Sequence, residues 1–93
     1  MRTEKNCWIF QVEKEGALRR MRVFFDAATG KGITYPFCVI PDDLFELKVV
    51  DHLDDLFSTH GPPNAIINRG NFNSKILEKT LYNKGIKYDR QNP

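Results

Sequence analysis

The sequence contains few of the residues that would mark a specialised class of protein. Its two cysteines, Cys7 and Cys38, are too few for a disulfide framework, so we expect buried free thiols and a cytoplasmic, nucleoid-associated or nuclear protein. Six glycines and five prolines exclude a collagen-like or low-complexity chain. No apolar run approaches the roughly 20 residues of a membrane-spanning helix. The N-terminal residues also lack the apolar segment of a secretory signal, so we expect no membrane partner.

The residues that are present fit one small folded domain. Hydrophobic residues make up 41% of the chain and the formal net charge is only +2, which excludes a disordered polypeptide. A length of 93 residues lies within the usual size range of a single domain. We therefore expect one domain that spans residues 1–93 and contains one hydrophobic core.

The small net charge conceals an uneven distribution along the chain. The net charge is +3 over residues 1–40, −5 over residues 41–60 and +4 over residues 61–93. Clustered positive charge is typical of surfaces that face nucleic acid, with the acidic segment turned elsewhere. Ordinary solvated charge explains the same distribution, so both interpretations stay open at this point.

The first half of the chain has the alternating pattern of β-strands. Segments 8–15 and 18–26 alternate apolar and polar residues and are separated by a short turn at Gly16. A third segment, 33–40, is rich in β-forming residues but contains Pro36, which cannot donate a hydrogen bond to a neighbouring strand. The pattern predicts a three-stranded antiparallel meander whose third strand is at an edge or is locally irregular.

Helical periodicity begins after this meander. Pro41 followed by two aspartates favours a helix start, because proline suits the first turn and acids interact well with the positive end of the helix dipole. Apolar residues then recur every three or four positions until the Gly-Pro-Pro sequence at 61–63. The spacing predicts one amphipathic helix between these signals.

The last third of the chain predicts a strand, a second helix and a final strand. The apolar segment 65–67 is typical of a short buried strand. Asn73 or Ser74 caps the second helix, and Gly85 follows its last turn. Residues 86–88 begin the final strand, so the predicted order is βββαβαβ and the predicted class is α/β.

Five short motifs occur in order along the chain and cover most of it. They are Trp8-Ile-Phe-Gln11, Asp26-Ala-Ala-Thr29-Gly30, Leu56-Phe57-Ser-Thr-His-Gly61-Pro-Pro63, Ile66-Ile67-Asn68-Arg69-Gly70-Asn71-Phe72-Asn73-Ser74 and Gly85-Ile86-Lys87-Tyr88. In this order they resemble the W-x-x-D, D-x-x-S/T-R/G, F-x-x-x-G-x-P, I-x-S-D-R-G-x-x-F-x-S and G-I-K-H/Y motifs of the RNase H-like catalytic core of retroviral integrases and DDE transposases. The fourth motif is two residues shorter here than in the family. The resemblance implies an RNase H-like fold over about residues 8–90.

The resemblance also implies a catalytic site that this chain does not reproduce. The family holds two divalent cations on three carboxylates, and the first two carboxylates correspond here to Gln11 and Asn68. The third is a glutamate on a later helix, beyond Pro93, so we expect a fold truncated before its final helices. Neutral amides are poor ligands for Mg²⁺, so we expect no catalytic residue, no metal and no other cofactor. Loss of carboxylate repulsion is also expected to stabilise the fold.

The leading hypothesis for function is a catalytically inactive integrase-like or transposase-like domain from a mobile genetic element. Such a domain would act as a DNA-associated or protein-interaction module, and a second copy or a related integrase is the expected protein partner. One alternative is a fragment of an active DDE enzyme that catalyses Mg²⁺-dependent DNA strand transfer, in which other acids such as Glu13 and Asp26 hold the metal.

A further alternative is a non-specific DNA-binding protein that uses the basic residues of the segment 69–90. Basic side chains in this segment flank the position of Asn68 and continue along the second helix into the last strand. Sequence-independent binding to phosphates would then fall steeply with salt. The candidate residues are Arg69, Lys75, Lys79, Lys84 and Lys87.

Three other polar residues have ordinary structural explanations. Asp26 is expected to stabilise the chain reversal at Thr29 and Gly30 in the manner of an Asx-turn. His52 and His60 lack the spacing of metal ligands and are expected to be solvated helix residues.

Overall fold

The computed structural model describes residues 7–26 and 29–91. Within these residues the chain forms strands and helices in the predicted order βββαβαβ. The elements are β1 Cys7–Glu15, β2 Leu18–Asp26, β3 Lys31–Phe37, α1 Asp42–His60, β4 Ala65–Arg69, α2 Lys75–Asn83 and β5 Lys87–Gln91. The predicted α/β class is therefore confirmed.

The strands form one mixed sheet in the order β3-β2-β1-β4-β5. β1, β2 and β3 are antiparallel, as the meander predicts, whereas β4 and β5 run parallel to β1. Parallel neighbours need crossover connections, and the two helices provide them. β3 lies at an edge of the sheet, which agrees with the presence of Pro36.

The third strand begins and ends earlier than the predicted segment 33–40. The β2–β3 register shifts between Phe24 and Asp26, and Gly32 lies very close to β2 at this irregularity. A Cβ atom on Gly32 would lie 2.2 Å from the backbone oxygen of Val23, so only glycine fits there. Pairing extends back to Lys31, which lies opposite Asp26, and residues 38–40 leave the sheet before α1.

The turn between β2 and β3 is described only in part. The N–H of Gly30 donates to the backbone oxygen of Asp26 at 2.9 Å, and the N–H of Lys31 donates to Thr29 Oγ1 at 3.3 Å. Residues 27 and 28 lie outside the described residues, so the Asx-turn stays a prediction.

Both helices begin and end at residues that suit these positions. α1 follows Pro41 as its N-cap, and Gly61 ends it with a φ of 82°. Ser74, rather than Asn73, caps α2, because its Oγ accepts a hydrogen bond from the helix backbone at 3.1 Å. Gly85 follows α2 with a φ of 75°, a conformation that residues with a Cβ rarely adopt.

Both helices pack on one face of the sheet and form the core with it. The register pairs Phe10 with Val23 and Val12 with Met21, so these residues share that face. The opposite face carries no helix in the described part of the chain, and Gln11 points to it because it alternates with Phe10. The core consists of Trp8, Phe10, Met21, Val23, Phe45, Val49, Leu53, Leu56, Phe57, Ile66, Leu77, Leu81 and Ile86.

The structure tests the expectations about the two cysteines and about membrane-spanning helices. Neither cysteine forms a disulfide, but Cys38 is exposed and Cys7 is half-buried, so the expectation that both thiols are buried is wrong. Neither α1 nor α2 is long and apolar enough to cross a membrane.

Candidate functional site at Asn68 and Gln11

The pairing of β1 with β4 brings together Gln11 and Asn68, the two positions at which the sequence resemblance implies carboxylates. The parallel register places Asn68 opposite Phe10, so Gln11 lies one residue farther along. A Cβ atom on Gly70 would be 3.9 Å from Gln11 Cγ and 4.0 Å from Asn68 Oδ1. Gly70 thus lies close to both side chains, just after the carboxyl end of β4.

Asn68 is fully buried, with 0% of its surface exposed, and two hydrogen bonds hold its amide nitrogen. Nδ2 donates to the Phe72 carbonyl oxygen at 2.8 Å and to the Tyr88 hydroxyl oxygen at 2.9 Å. The Phe72 carbonyl can only accept a hydrogen bond, so the amide nitrogen must face it. Asn68 therefore ties the loop after β4 to strand β5.

The oxygen of the same amide has no hydrogen-bond partner among the described residues. Buried polar atoms nearly always have one, so this oxygen is an exception, and both hydrogen bonds of the side chain are made by its nitrogen. An ionised aspartate at position 68 would place an oxygen against the Phe72 carbonyl and would have no hydrogen to donate. This environment suits an amide and does not suit a carboxylate.

The hydroxyl of Tyr88 completes the arrangement around Asn68. Burial raises the pKa of Tyr88 above its ordinary value, and the charge of Glu78 adds to the rise. The hydrogen bond from Asn68 and the charge of Arg90 lower the pKa, but the net direction is upward. Tyr88 is therefore neutral at physiological pH and remains an acceptor for the Asn68 amide.

Sequence reasoning misses Tyr88 as a site residue. Its contact with Asn68 depends on the parallel register that places Tyr88 opposite Ile66, and this register is absent from the local pattern. The available signal is an asparagine at the end of an apolar strand, because a buried amide needs partners.

A cleft of about 880 Å³ opens beside Gly70. One wall is the end of β1 from Gln11 to Glu15, and the other walls are the loop 70–73 and the first turn of α1. The formal charge of the lining is −1, because four carboxylates face three cationic side chains. These are Glu13, Glu15, Asp42 and Glu46 against Lys14, Arg19 and Arg20.

Ion pairs neutralise most of the charge around this cleft. Arg19 donates a hydrogen bond to Asp42 and so lowers the pKa of that carboxyl. Arg20 Nη2 lies 3.0 Å from Glu15 Oε1. Glu46 takes part in no ion pair within the described residues. The cleft is thus close to neutral, with a small excess of negative charge.

The residues of this site do not match a magnesium centre. Mg²⁺ requires anionic oxygen ligands, whereas Gln11 and Asn68 are neutral and the Asn68 nitrogen is held by backbone and tyrosine oxygens. Over residues 7–26 and 29–91, no group of three or more histidine, cysteine, aspartate or glutamate side chains is arranged to hold a metal ion.

The structure separates the two acids of the active-fragment hypothesis. Glu13 pairs with Arg20 in the β1–β2 ladder, and its carboxylate lies 3.5 Å from Arg22 Nε. Asp26 lies farther along β2, roughly 20 Å away at the usual rise per strand residue. The two carboxylates cannot share one metal ion at this distance.

All five of the predicted nucleic-acid-binding residues are exposed, and they lie near α2 and the ends of β4 and β5. Lys79 and Lys87 line one shallow depression together with Tyr82, whose surface is 82% exposed. Lys75 lies one helical turn before Lys79, and Arg69 is the last residue of β4.

Lys84 is the exception among these basic residues. Its Nζ lies 3.3 Å from Asp54 Oδ1 on α1 and 5.9 Å from the centre of the Phe57 ring. Lys84 therefore connects the two helices, and its charge is already compensated.

The two histidines contact aromatic rings. His52 is half-buried and stacks on Tyr35, with ring centres 4.1 Å apart and planes inclined by 14°. Burial and the charge of Asp55 raise the pKa of that tyrosine. His60 is exposed, and its ring centre lies 4.6 Å from that of Phe25. The expectation of simply solvated histidines is therefore wrong for His52.

Comparison with known proteins adds a shared fold. No family model and no curated protein sequence matches the chain. A chain in the cryo-EM structure of the simian T-cell lymphotropic virus intasome in complex with PP2A regulatory subunit B56 gamma superposes with a TM-score of 0.71 at 13% identity. The match covers 100% of this chain and 37% of that chain. The two chains share a fold, and this chain spans little more than a third of the other.

Proposed function

We propose that this chain is a catalytically inactive, integrase-core-like domain from a mobile genetic element, which acts by associating with DNA or protein. The observation that carries the proposal is Asn68, whose buried amide donates two hydrogen bonds at a position where catalysis would need an anionic oxygen. Gln11, the second position of the same site, is neutral as well. The fold shared with a chain of an intasome complex supports an integrase-like, RNase H-like core.

A DNA cleavage and strand-transfer assay tests the catalytic part of this proposal. We expect the purified chain to give no product from a labelled duplex oligonucleotide with Mg²⁺ or Mn²⁺ beyond the level seen with a chelator. Glu13→Gln and Asp26→Asn are the matched variants for the active-fragment alternative. Metal-dependent cleavage by the wild type that either variant abolishes would refute the inactive assignment and support that alternative.

Association with DNA is favoured by the depression between α2 and β5. Lys79 and Lys87 border it, and the exposed ring of Tyr82 offers a surface on which a base can stack. The positive charge of residues 61–93 adds an attraction for phosphates that depends on salt.

The salt dependence of DNA binding tests this candidate. We expect affinity for a short single-stranded oligonucleotide to fall as salt rises, and each of Lys79→Ala and Lys87→Ala to reduce the logarithmic salt slope by about 1. Lys84→Ala is the matched control, because Asp54 already compensates its charge. An affinity that does not change with salt, or equal effects of all three variants on the salt slope, would exclude this surface.

Association with a second copy is favoured by apolar residues on the outer side of α1. Leu44 and Leu47 lie one helical turn apart and are 43% and 49% exposed. We expect light scattering after size exclusion to show a dimer that Leu47→Glu disrupts. A strictly monomeric wild-type chain at high concentration would contradict self-association through α1.

A further inference from the structure

Strand β1 has an open hydrogen-bonding edge within the cleft. β1 runs from Cys7 to Glu15, but β4 pairs with it only over Cys7–Phe10. From Gln11 onward, no strand of the described chain lies on the β4 side of β1. The cleft beside Gly70 is this missing place in the sheet.

The backbone groups that face the cleft belong to Val12 and Lys14. The Val12 carbonyl oxygen lies 3.9 Å from the Cβ position of Gly70, so it points away from β2. Alternate residues of a strand point their N–H and C=O groups to the same side, which adds Lys14. No turn, loop or side-chain hydrogen bond of the described residues uses these groups, so two donors and two acceptors line the cleft.

The walls of the cleft are suited to a single extended segment. Val12 and Phe72 are half-buried and belong to the apolar helix side, whereas Glu13 points to the helix-free face. The loop 70–73 lines the side of the cleft opposite β1. The net charge of −1 on the lining disfavours a nucleic-acid backbone.

We propose that the cleft binds an extended peptide of another protein, which adds a short strand beside Val12 and Lys14. Addition of a strand to an open edge satisfies backbone groups, and alternate side chains provide specificity. An apolar side chain of the peptide covers Val12 and Phe72, and a basic neighbour faces Glu13. The inference rests on the proposed function in that the domain works by association, but it concerns a surface that shares no lining residue with the depression bordered by Lys79 and Lys87.

Binding of a fluorescein-labelled peptide Ser-Thr-Ile-Lys-Val-Thr-Ser to the full chain tests the proposal by fluorescence anisotropy. Two further peptides carry N-methyl groups on alternate amides, so that one blocks the amides facing β1 and the other blocks the amides facing away. We expect the parent peptide to bind saturably. One methylated peptide should bind about tenfold more weakly than the parent, and the affinity of the other should change by no more than about twofold. Equal binding of the two methylated peptides, or no binding of the parent peptide, would overturn the proposal.

Variants of the chain supply the second arm. Lys14→Pro removes the N–H that faces the cleft, at an edge where proline is tolerated, and Lys14→Ala removes only the side chain. We expect Lys14→Pro to bind the parent peptide at least about fivefold more weakly than Lys14→Ala. If both variants fold and bind the peptide with equal affinity, the peptide does not pair with the open edge of β1. If Lys14→Pro does not fold, the methylated peptides still decide.

The design separates this inference from the proposed function. Peptide binding is measured without DNA or metal, so its failure leaves the catalytic and DNA-binding tests untouched. Conversely, metal-dependent DNA cleavage would refute the proposed function even if the peptide bound. An unlabelled oligonucleotide that displaces the peptide would contradict the proposal, because it would indicate a nucleic-acid site.

Discussion

Replacement of Asn68 by aspartate should destabilise the fold far more than its small change in shape suggests. The substitution keeps the size of the side chain but removes both N–H donors. The Phe72 carbonyl oxygen at 2.8 Å would then face a carboxylate oxygen, and the bond to Tyr88 would need the tyrosine to become the donor. Because Asn68 is 0% exposed, water cannot compensate for the lost bonds.

The expected loss follows from these contacts. A typical neutral hydrogen bond contributes about 1 kcal/mol net, and a buried group left unsatisfied costs about 1–3 kcal/mol. Burial of an ionised carboxylate adds to the loss. We therefore expect Asn68→Asp to lower the free energy of unfolding by about 3–5 kcal/mol at pH 7. For a domain of this size the Tm should fall by roughly 15–30 °C.

The pH dependence of this loss distinguishes a buried charge from a packing defect. Burial raises the pKa of the introduced carboxyl above its unfolded value of about 4. Below that value the carboxyl is protonated in both states and can donate one O–H to Phe72, so the charge part of the loss disappears. As the pH rises through the folded pKa, the variant should lose stability relative to the wild type.

Urea unfolding of the wild type and Asn68→Asp at several pH values between 4 and 7 measures the difference. Gln11→Asp is the matched control, because Gln11 is only half-buried and lies opposite Arg22, so we expect a change within about 1 kcal/mol. A difference below 1 kcal/mol for Asn68→Asp at pH 7, or one that does not change with pH, would refute the reasoning.

Three further predictions concern neighbouring parts of the molecule. Tyr88→Phe should lower stability by about 1–2 kcal/mol, because one Asn68 donor loses its acceptor. The raised pKa of Tyr88 adds stability to the wild type that is complete below about pH 10 and is lost as the pH rises through the pKa of the folded state. In urea unfolding, the stability of the variant should therefore fall less steeply at alkaline pH than that of the wild type. An equally steep fall for both proteins would contradict this. Gly32→Ala should lower stability in thermal melts by at least about 1–3 kcal/mol, because its Cβ would lie 2.2 Å from a backbone oxygen. Gly70→Ala should have only a small effect, because the nearest contact of its Cβ would be at 3.9 Å. Equal melting temperatures of the two variants would disprove the close approach of Gly32 to β2. Leu81→Ala should lower the free energy of unfolding by about 2–5 kcal/mol, because Leu81 is fully buried. Tyr82→Ala should change it by no more than about 0.5 kcal/mol, because Tyr82 is 82% exposed. Similar losses at both positions would contradict the described packing of α2.

The order of the elements could be predicted because local chemistry fixes where each one begins and ends. Pro41 with the acids behind it begins α1, Ser74 caps α2, and Gly85 adopts the positive φ that ends it. Pro36 likewise places β3 at an edge. These signals act over a few residues, so a single sequence contains them.

The contacts that define the site could not be predicted because they depend on register between distant strands. The hydrogen bond from Asn68 to Tyr88 exists only because β5 lies parallel to β4 in one particular register. The sequence likewise groups Lys84 with the other basic residues, although the structure pairs it with Asp54, because that pair depends on how α2 packs beside α1. Local patterns describe which face a residue occupies, but they do not describe what lies opposite it.

The hydrogen bonds of Asn68 also bear on whether this site could regain metal chemistry by substitution. A carboxylate at position 68 would have to turn from the Phe72 carbonyl before it could face a cation, and that rotation would release the loop after β4 from β5. The same loop forms one wall of the cleft beside β1. Restoring an acid would therefore disturb the surface that we propose binds a peptide. With the present backbone, position 68 can either make the stabilising contacts of the amide or hold a catalytic carboxylate, but not both.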